Sequence, residues 1–259
     1  MTPISLSGPS PWLNIISDTP LRSVMFTSRG ELRAGMTAYG AFNLCHYTGD
    51  SPSHVAECRR MLAEAIGLDP SRIVVPRQTH STEVATLTSL PVDEAALEGV
   101  DAVVTTLRGL AVGVSTADCV PVIAVDAEAG VSGAFHAGWR GAVGGIVGKG
   151  IAAMLAAGAS PGRIEAFIGP SICDECFEVG EEVACRFPDE FVSRLSPDSK
   201  PHVDLPAYVV SSLVGAGVSA SRIVPFRPEL CTRCHPAKYF SARASGIESG
   251  RNFTFVILK

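Results

Sequence analysis

Three segments of the chain repeat one grammar: AIGLDPSRIVV from Ala65, AAGASPGRIEAF from Ala156 and GAGVSASRIVPF from Gly215. In each, a helical stretch stops at a glycine suited to the position just past a helix end. A short turn follows, and Arg-Ile then opens an apolar run that reads as a strand. A chain that takes this step three times has to stack helices on sheets. Gly67, Gly158 and Gly217 are unequally spaced, which points to a duplicated unit and away from a solenoid of fixed period.

Helices are expected over residues 53–66, 141–157 and 206–214. The second is rich in glycine, which weakens a helix and suggests close packing or a nearby ligand. Strands are expected over residues 72–75, 102–105, 110–115, 120–125, 131–135, 164–168, 223–225 and 253–258. No linker rich in Pro, Gly or Ser interrupts them, so residues 1–259 are expected to form one domain of α and β layers. With 46% hydrophobic and 18% charged residues the chain can build a sizeable core.

The formal charge of −5 supplies no overall positive field for nucleic acid or an anionic membrane. The longest apolar runs are strand-sized, against the roughly 20 residues of a membrane helix. The first twenty residues lack the basic head and apolar run of a secretory signal, so a cytoplasmic protein is expected. Its 8 cysteines are then expected to be reduced, available for packing, metal binding or nucleophilic chemistry.

The most informative stretch runs from Leu110 to Gly141, where two apolar segments flank the turn-like Asp126 to Gly130. As a hairpin centred between Ala127 and Glu128, it sets Cys119 opposite His136, and a slip of a residue or two keeps them neighbours. His80, in Arg77-Gln78-Thr79-His80 after an expected strand, is the natural third ligand. Two imidazoles and a thiolate suit zinc and leave a fourth position for water or substrate. Cys119 and His136 also have the proximity of a nucleophile and its base. Zinc would mask Cys119 from alkylation, which distinguishes the two.

After His136, the segment Ala137-Gly138-Trp139-Arg140-Gly141 is a small-residue turn into a helix, where amides and Arg140 can receive phosphate or carboxylate. The pairs Cys173/Cys176 and Cys231/Cys234 have the CxxC form of a four-thiolate zinc site, but their separation exceeds the usual ribbon spacing. CTRCH at Cys231 also fits the haem-attachment pattern. Without an export signal, it is read as a turn.

The motifs RQTHS at Arg77, STADCVPV at Ser115, GAFHAGWRG at Gly133, IGPSICDECFEVGEEV at Ile168 and CTRCHPAKYFSARASG at Cys231 fall in order along the chain. With AFNLCHYTGD at Ala41 and the ending GRNFTFVILK, they resemble the multicopper polyphenol oxidase or laccase domain family. The resemblance implies a four-layer αββα sandwich with mixed sheets. It also implies a zinc-dependent purine nucleoside phosphorylase, with adenosine deaminase and methylthioadenosine phosphorylase activities ascribed to members. His80, Cys119 and His136 match the family's metal-ligand positions. Cys58 stands where Asn is common and Cys173 where Gly is common, departures that bear on substrate preference.

On that basis His80, Cys119, His136 and Arg140 are the expected catalytic residues. Asn43, Arg59, Gln78 and Asp118 are the expected substrate contacts, with Asp118 also suited to support a ligating imidazole. Purine nucleosides and phosphate are the expected partners of a monomer. Copper is the alternative ion, and a copper-dependent phenol oxidase, a cysteine hydrolase and a noncatalytic nucleoside-binding module are the alternative functions. Multicopper oxidation needs many imidazoles, whereas the chain has 6 histidines.

Overall fold

Strands such as Val120–Asp126 and Asn252–Leu258 are buried at every position. A strand with no solvent face needs a packing layer on each side. The computed structural model, which describes residues 10–31 and 35–259, supplies those layers as two sheets packed face to face between helices.

The first sheet contains β1 (Leu13–Asp18), β2 (Arg22–Thr27), β3 (Ile73–Val74), β6 (Ala111–Thr116) and β13 (Asn252–Leu258), in the order β1-β2-β13-β6-β3. The second contains β4 (Val84–Leu87), β5 (Ala102–Thr105), β7 (Val120–Asp126), β8 (Val131–Ala137), β9 (Glu165–Ile168) and β12 (Ile223–Val224), in the order β12-β9-β7-β8-β5-β4. Both are mixed: β3 runs parallel to β6, β12 to β9 and β4 to β5, and the remaining pairs are antiparallel. A short ladder joins β10 (Val192–Ser193) to β11 (His202–Val203).

Alternation along the strands divides the core into three. Phe253, Phe255 and Ile257 of β13 cluster with Leu62 and Ile66 of helix α1 (Pro52–Ile66). Val256 and Leu258 turn the other way and meet Ile123 and Val125 of β7 between the sheets. Val122 and Ala124 of β7 pack on a third cluster with Ile151 and Met154 of one helix and Val209 and Leu213 of another. Each such side chain contributes about 1.5–3 kcal/mol by leaving water. The layers are therefore helix, sheet, sheet, helix: the expected αββα sandwich.

The repeated helix-turn-strand step appears as α1 into β3, Ile146–Ala156 into β9, and Leu205–Gly215 into β12. Gly67, Gly158 and Gly217 all take positive φ, 67°, 102° and 93°, as a left-handed residue after a helix end should.

Three features differ from expectation. The helix expected over residues 141–157 is two helices, α2 (Trp139–Val143) and α3 (Ile146–Ala156). Gly145 at φ 85° breaks the path between them. Within α3, Gly150 brings the helix so close to Phe135 that an added Cβ would lie 2.7 Å from its ring, which accounts for glycine there. Strands β1, β2 and β4 were not anticipated: β1 and β4 are only partly buried, so their apolar signal is weak. Finally, β7 and β8 pair with Pro121 opposite His136 and Asp126 opposite Val131, two residues from the expected register. The turn occupies residues 127–130 because Asp126 remains in the ladder, its Oδ1 accepting the Ala129 N–H at 3.0 Å. A slip of two leaves every side chain on its face.

The remaining helices are α4 (Glu181–Ala184), α5 (Leu205–Gly215) and α6 (Ala242–Ser245). Among the described residues no helix is long and apolar enough to cross a membrane.

Candidate metal centre

Three loop or strand ends converge at one end of the second sheet. His80 lies on the loop after β3, in the left-handed conformation with φ 60°. That loop is tied down on two sides. The Gln78 amide donates to the Ser115 carbonyl and accepts its N–H, both at 2.8 Å, while Thr79 N–H and Ser81 N–H donate to Asp101 Oδ2 at 2.9 and 3.0 Å. Cys119 sits in the bend between β6 and β7, and His136 near the end of β8.

One ligand atom from each of His80, Cys119 and His136 lies within 4.8 Å of the others. Cys119 Sγ is 3.6 Å from His80 Nε2, and the two imidazole rings are 4.9 Å apart at 70°. Zinc bonds of about 2.0–2.3 Å in a tetrahedron set sulfur and nitrogen about 3.5 Å apart, so Cys119 Sγ and His80 Nε2 already have the required separation. Gly138 permits this approach: a Cβ there would lie 2.7 Å from His80 Cδ2 and 3.0 Å from Cys119 Sγ.

Behind the trio stands Asp101, fully buried. Its Oδ1 is 2.6 Å from His136 Nδ1, and its main-chain carbonyl accepts the His136 N–H at 2.8 Å. One carboxylate thus orients one imidazole directly and holds the loop that carries the other. With Nδ1 engaged, His136 turns Nε2 to the site, the usual support of a metal-binding histidine. Sequence reasoning offered Asp118 for this role, beside a substrate contact, and missed Asp101. The available signal was an acidic residue opening the otherwise apolar run Ala102–Thr105.

Charge reinforces the geometry. Burial pushes the Cys119 thiol up, but the two imidazoles outweigh it and bring the thiol down to about 6. Burial likewise pushes His136 down, while the Cys119 sulfur and Asp101 raise it to about 9. In Asp101, burial is outweighed by His136 and the loop N–H donors, which hold its carboxyl below the ordinary value. Without a metal the pair is a thiolate and an imidazolium at neutral pH. His80 is exposed and Cys119 half-buried, so one side of the trio faces solvent.

The other expected site residues separate into two groups. Arg140 is exposed at the start of α2, its guanidinium 4.2 Å from the Trp139 ring centre. Trp139 lines a groove of about 300 Å³ with Phe177, Lys200 and Arg243. Asp118, at φ 90°, joins that groove to the trio: Oδ1 accepts the Thr232 hydroxyl and Oδ2 the Arg243 N–H, each at 2.7 Å. It therefore braces a loop; neither contact is to a ligating imidazole.

The other expected substrate contacts lie in different surroundings. Asn43 is fully buried; its amide donates to the Cys45 carbonyl and Asp50, and its oxygen accepts from Cys45 and Arg251 N–H. That set occupies both donors and both lone pairs. Arg59 donates to the Pro70 and Ile73 carbonyls and lines a separate cleft of about 630 Å³, whose walls include none of the three ligands. Gln78 is a loop tie. Arg243, which sequence reasoning did not single out, bonds through its main-chain N–H to Asp118, the residue before Cys119, and through its guanidinium to the Glu178 carbonyl. The two CxxC pairs, whose separation in sequence exceeds the usual ribbon spacing, also come together.

Comparison with known proteins places this geometry. The chain is 46% identical over 245 residues to adenosine deaminase RL5 from an unknown prokaryotic organism, covering 90% of this chain and 92% of that protein. It is 41% identical over 190 residues to purine nucleoside phosphorylase ORF3 of Streptomyces griseus, covering 73% and 77%. The fold matches the crystal structure of Bacillus licheniformis hypothetical protein YfiH with a TM-score of 0.87 at 25% identity, over 100% of both chains. Residues 23–259 match the family model described as multi-copper polyphenol oxidoreductase laccase, and the chain belongs to that family.

Proposed function

We propose that this protein is a zinc-dependent purine nucleoside phosphorylase that also deaminates adenosine. The observation that carries this reading is the meeting of His80, the acidified Cys119 thiol and His136 at one solvent-facing point, with Asp101 behind them. Relatives bearing both enzyme names support it.

When held by His80, Cys119 and His136, zinc supplies Lewis acidity at a fourth position. The chain's own residues do the rest. Asp101 keeps a proton on His136 Nδ1 and thereby frees Nε2 for the site. Trp139 and Phe177 line the groove of about 300 Å³, with the Arg140 guanidinium over the first ring at 4.2 Å and that of Arg243 over the second at 5.8 Å, so a purine would stack there in place of a cation. The guanidinium groups of Arg140 and Arg243 are placed to attract and orient phosphate. In phosphorolysis the bond from base to ribose C1′ breaks, a phosphate oxygen bonds to C1′, and the departing base takes up a proton. Positioned cationic side chains assist by holding the nucleophile and balancing charge.

The donor set does not suit multicopper oxidation, which needs several imidazole-rich sites. Of the 6 histidines only His80 and His136 join a metal-capable group among the described residues. His54 is engaged with Asp50 and Cys58, and His202 with the Asp174 carbonyl. Copper can compete for the trio, so the ion itself has to be measured. We further propose a cytoplasmic monomer without nucleic-acid or membrane partners.

Metal-analysed protein incubated with adenosine or inosine, with and without phosphate, tests the proposal. Free base and ribose 1-phosphate should form only with phosphate, and ammonia should form from adenosine. Absence of all these products from zinc-loaded protein would overturn it.

A further inference from the structure

The second cysteine cluster lies outside the chemistry described so far. Cys173 precedes and Cys176 closes the short turn Asp174–Cys176, while Cys231 and Cys234 follow the turn Pro228–Leu230. A parallel bridge between Ser171 and Cys231 and a bond from Thr232 N–H to the Ser171 carbonyl at 2.9 Å bring the two turns together. Separation in sequence is therefore no obstacle: the sandwich closes the gap of more than fifty residues that made a four-thiolate site look remote.

All four Sγ atoms lie within 4.8 Å of one another. Cys173 and Cys231 are 3.3 Å apart, Cys176 and Cys234 3.4 Å, and Cys173 and Cys234 4.0 Å. Four sulfurs at about 2.3 Å from a zinc ion form a tetrahedron with edges of about 3.8 Å, and the observed spacings fall on either side of that value. They are also far longer than a disulfide bond of about 2.05 Å. The Cys173 and Cys234 N–H groups both point at Cys231 Sγ, at 3.4 Å, an arrangement that favours a thiolate there. Cys231 and Cys173 are buried, Cys176 is half-buried and Cys234 exposed, so an ion can enter from one side.

We propose that Cys173, Cys176, Cys231 and Cys234 bind a second zinc ion, structural and distinct from the one at the trio. Four thiolates and no open position make it a closed site. Its role follows from what the two turns hold. Thr232 and Arg243 donate to the Asp118 carboxylate, and Ile172 N–H donates to the Asp118 carbonyl at 2.9 Å. Asp118 directly precedes Cys119. The second ion thus clamps the loops that fix the backbone beneath a ligand of the first.

Zinc per chain, measured by native mass spectrometry on full-length protein purified with reductant and reconstituted with zinc alone, tests this. Wild type should hold two equivalents. Cys119→Ala should lose one and keep one, and Cys176→Ser/Cys234→Ser should lose the other. Cobalt(II) loaded into Cys119→Ala should show the intense visible bands of a tetrahedral tetrathiolate, a readout independent of turnover and of whether the double variant folds. A Cys119→Ala protein that takes up no zinc would overturn the proposal. So would a wild-type mass lower by four hydrogens, which would mark two disulfides in place of the ion.

Discussion

Changing Cys119 to Ala should remove the trio's metal and nucleoside cleavage together, with activity falling by more than 100-fold. The magnitude follows from what the side chain supplies. Loss of an outer partner of a metal ligand typically costs about 10–100-fold, and loss of the only thiolate among three ligands should exceed that. Cys119 also provides the negative charge that raises His136 to about 9, so alanine leaves two imidazoles with weaker reason to gather. The check pairs metal content with turnover on one preparation. Retained turnover in the metal-free variant would reject a metal mechanism and return attention to His136 acting without the ion.

Asp101→Ala should weaken zinc binding by about 10–100-fold while the fold persists. The carboxylate accepts from His136, Thr79 and Ser81, so its loss frees one imidazole and loosens the loop of the other. Competition with a chelating dye reads the affinity. The pH dependence adds a second readout. His136 in the metal-free protein titrates near 9, above its ordinary value. The stability contributed by its imidazolium is therefore complete below about pH 6.5 and is lost as pH rises through about 9. Cys119, brought down to about 6, contributes the opposite dependence over the same window, so unfolding midpoints of the metal-free wild type should stay nearly level between pH 6.5 and 9, and a marked fall there would contradict a Cys119–His136 ion pair. Equal zinc affinity in variant and wild type would reduce Asp101 to a packing residue.

Much of this arrangement was legible before any coordinates. The strands at β5 and β7–β9 are largely apolar runs of 4 to 7 residues bounded by turn residues, and their period and punctuation are local properties. The helix-turn-strand step, marked three times by glycine, located α1, α3 and α5. Neighbourhood of Cys119 and His136 followed from hairpin geometry, and survived a register error of two because side-chain direction has period two.

What escaped depends on contacts between distant segments. Asp101 acquires its role only when β5 pairs with β8. Asn43 and Gln78 look like binding residues by type, yet spend their amides on main-chain groups and, for Asn43, the Asp50 carboxylate, brought near by folding. Arg59 belongs to α1, on the opposite outer layer from α3 and α5. The cysteine pairs were discounted on sequence spacing, a rule for compact zinc ribbons that does not apply when a bridge at Ser171 and Cys231 aligns the turns.

Anomalous scattering at the zinc edge from crystals of zinc-loaded protein addresses the trio directly. The expected result is a peak bonded to His80 Nε2, His136 Nε2 and Cys119 Sγ at about 2.0–2.3 Å. Protein that cleaves nucleosides yet shows no metal density among those three atoms would contradict the account.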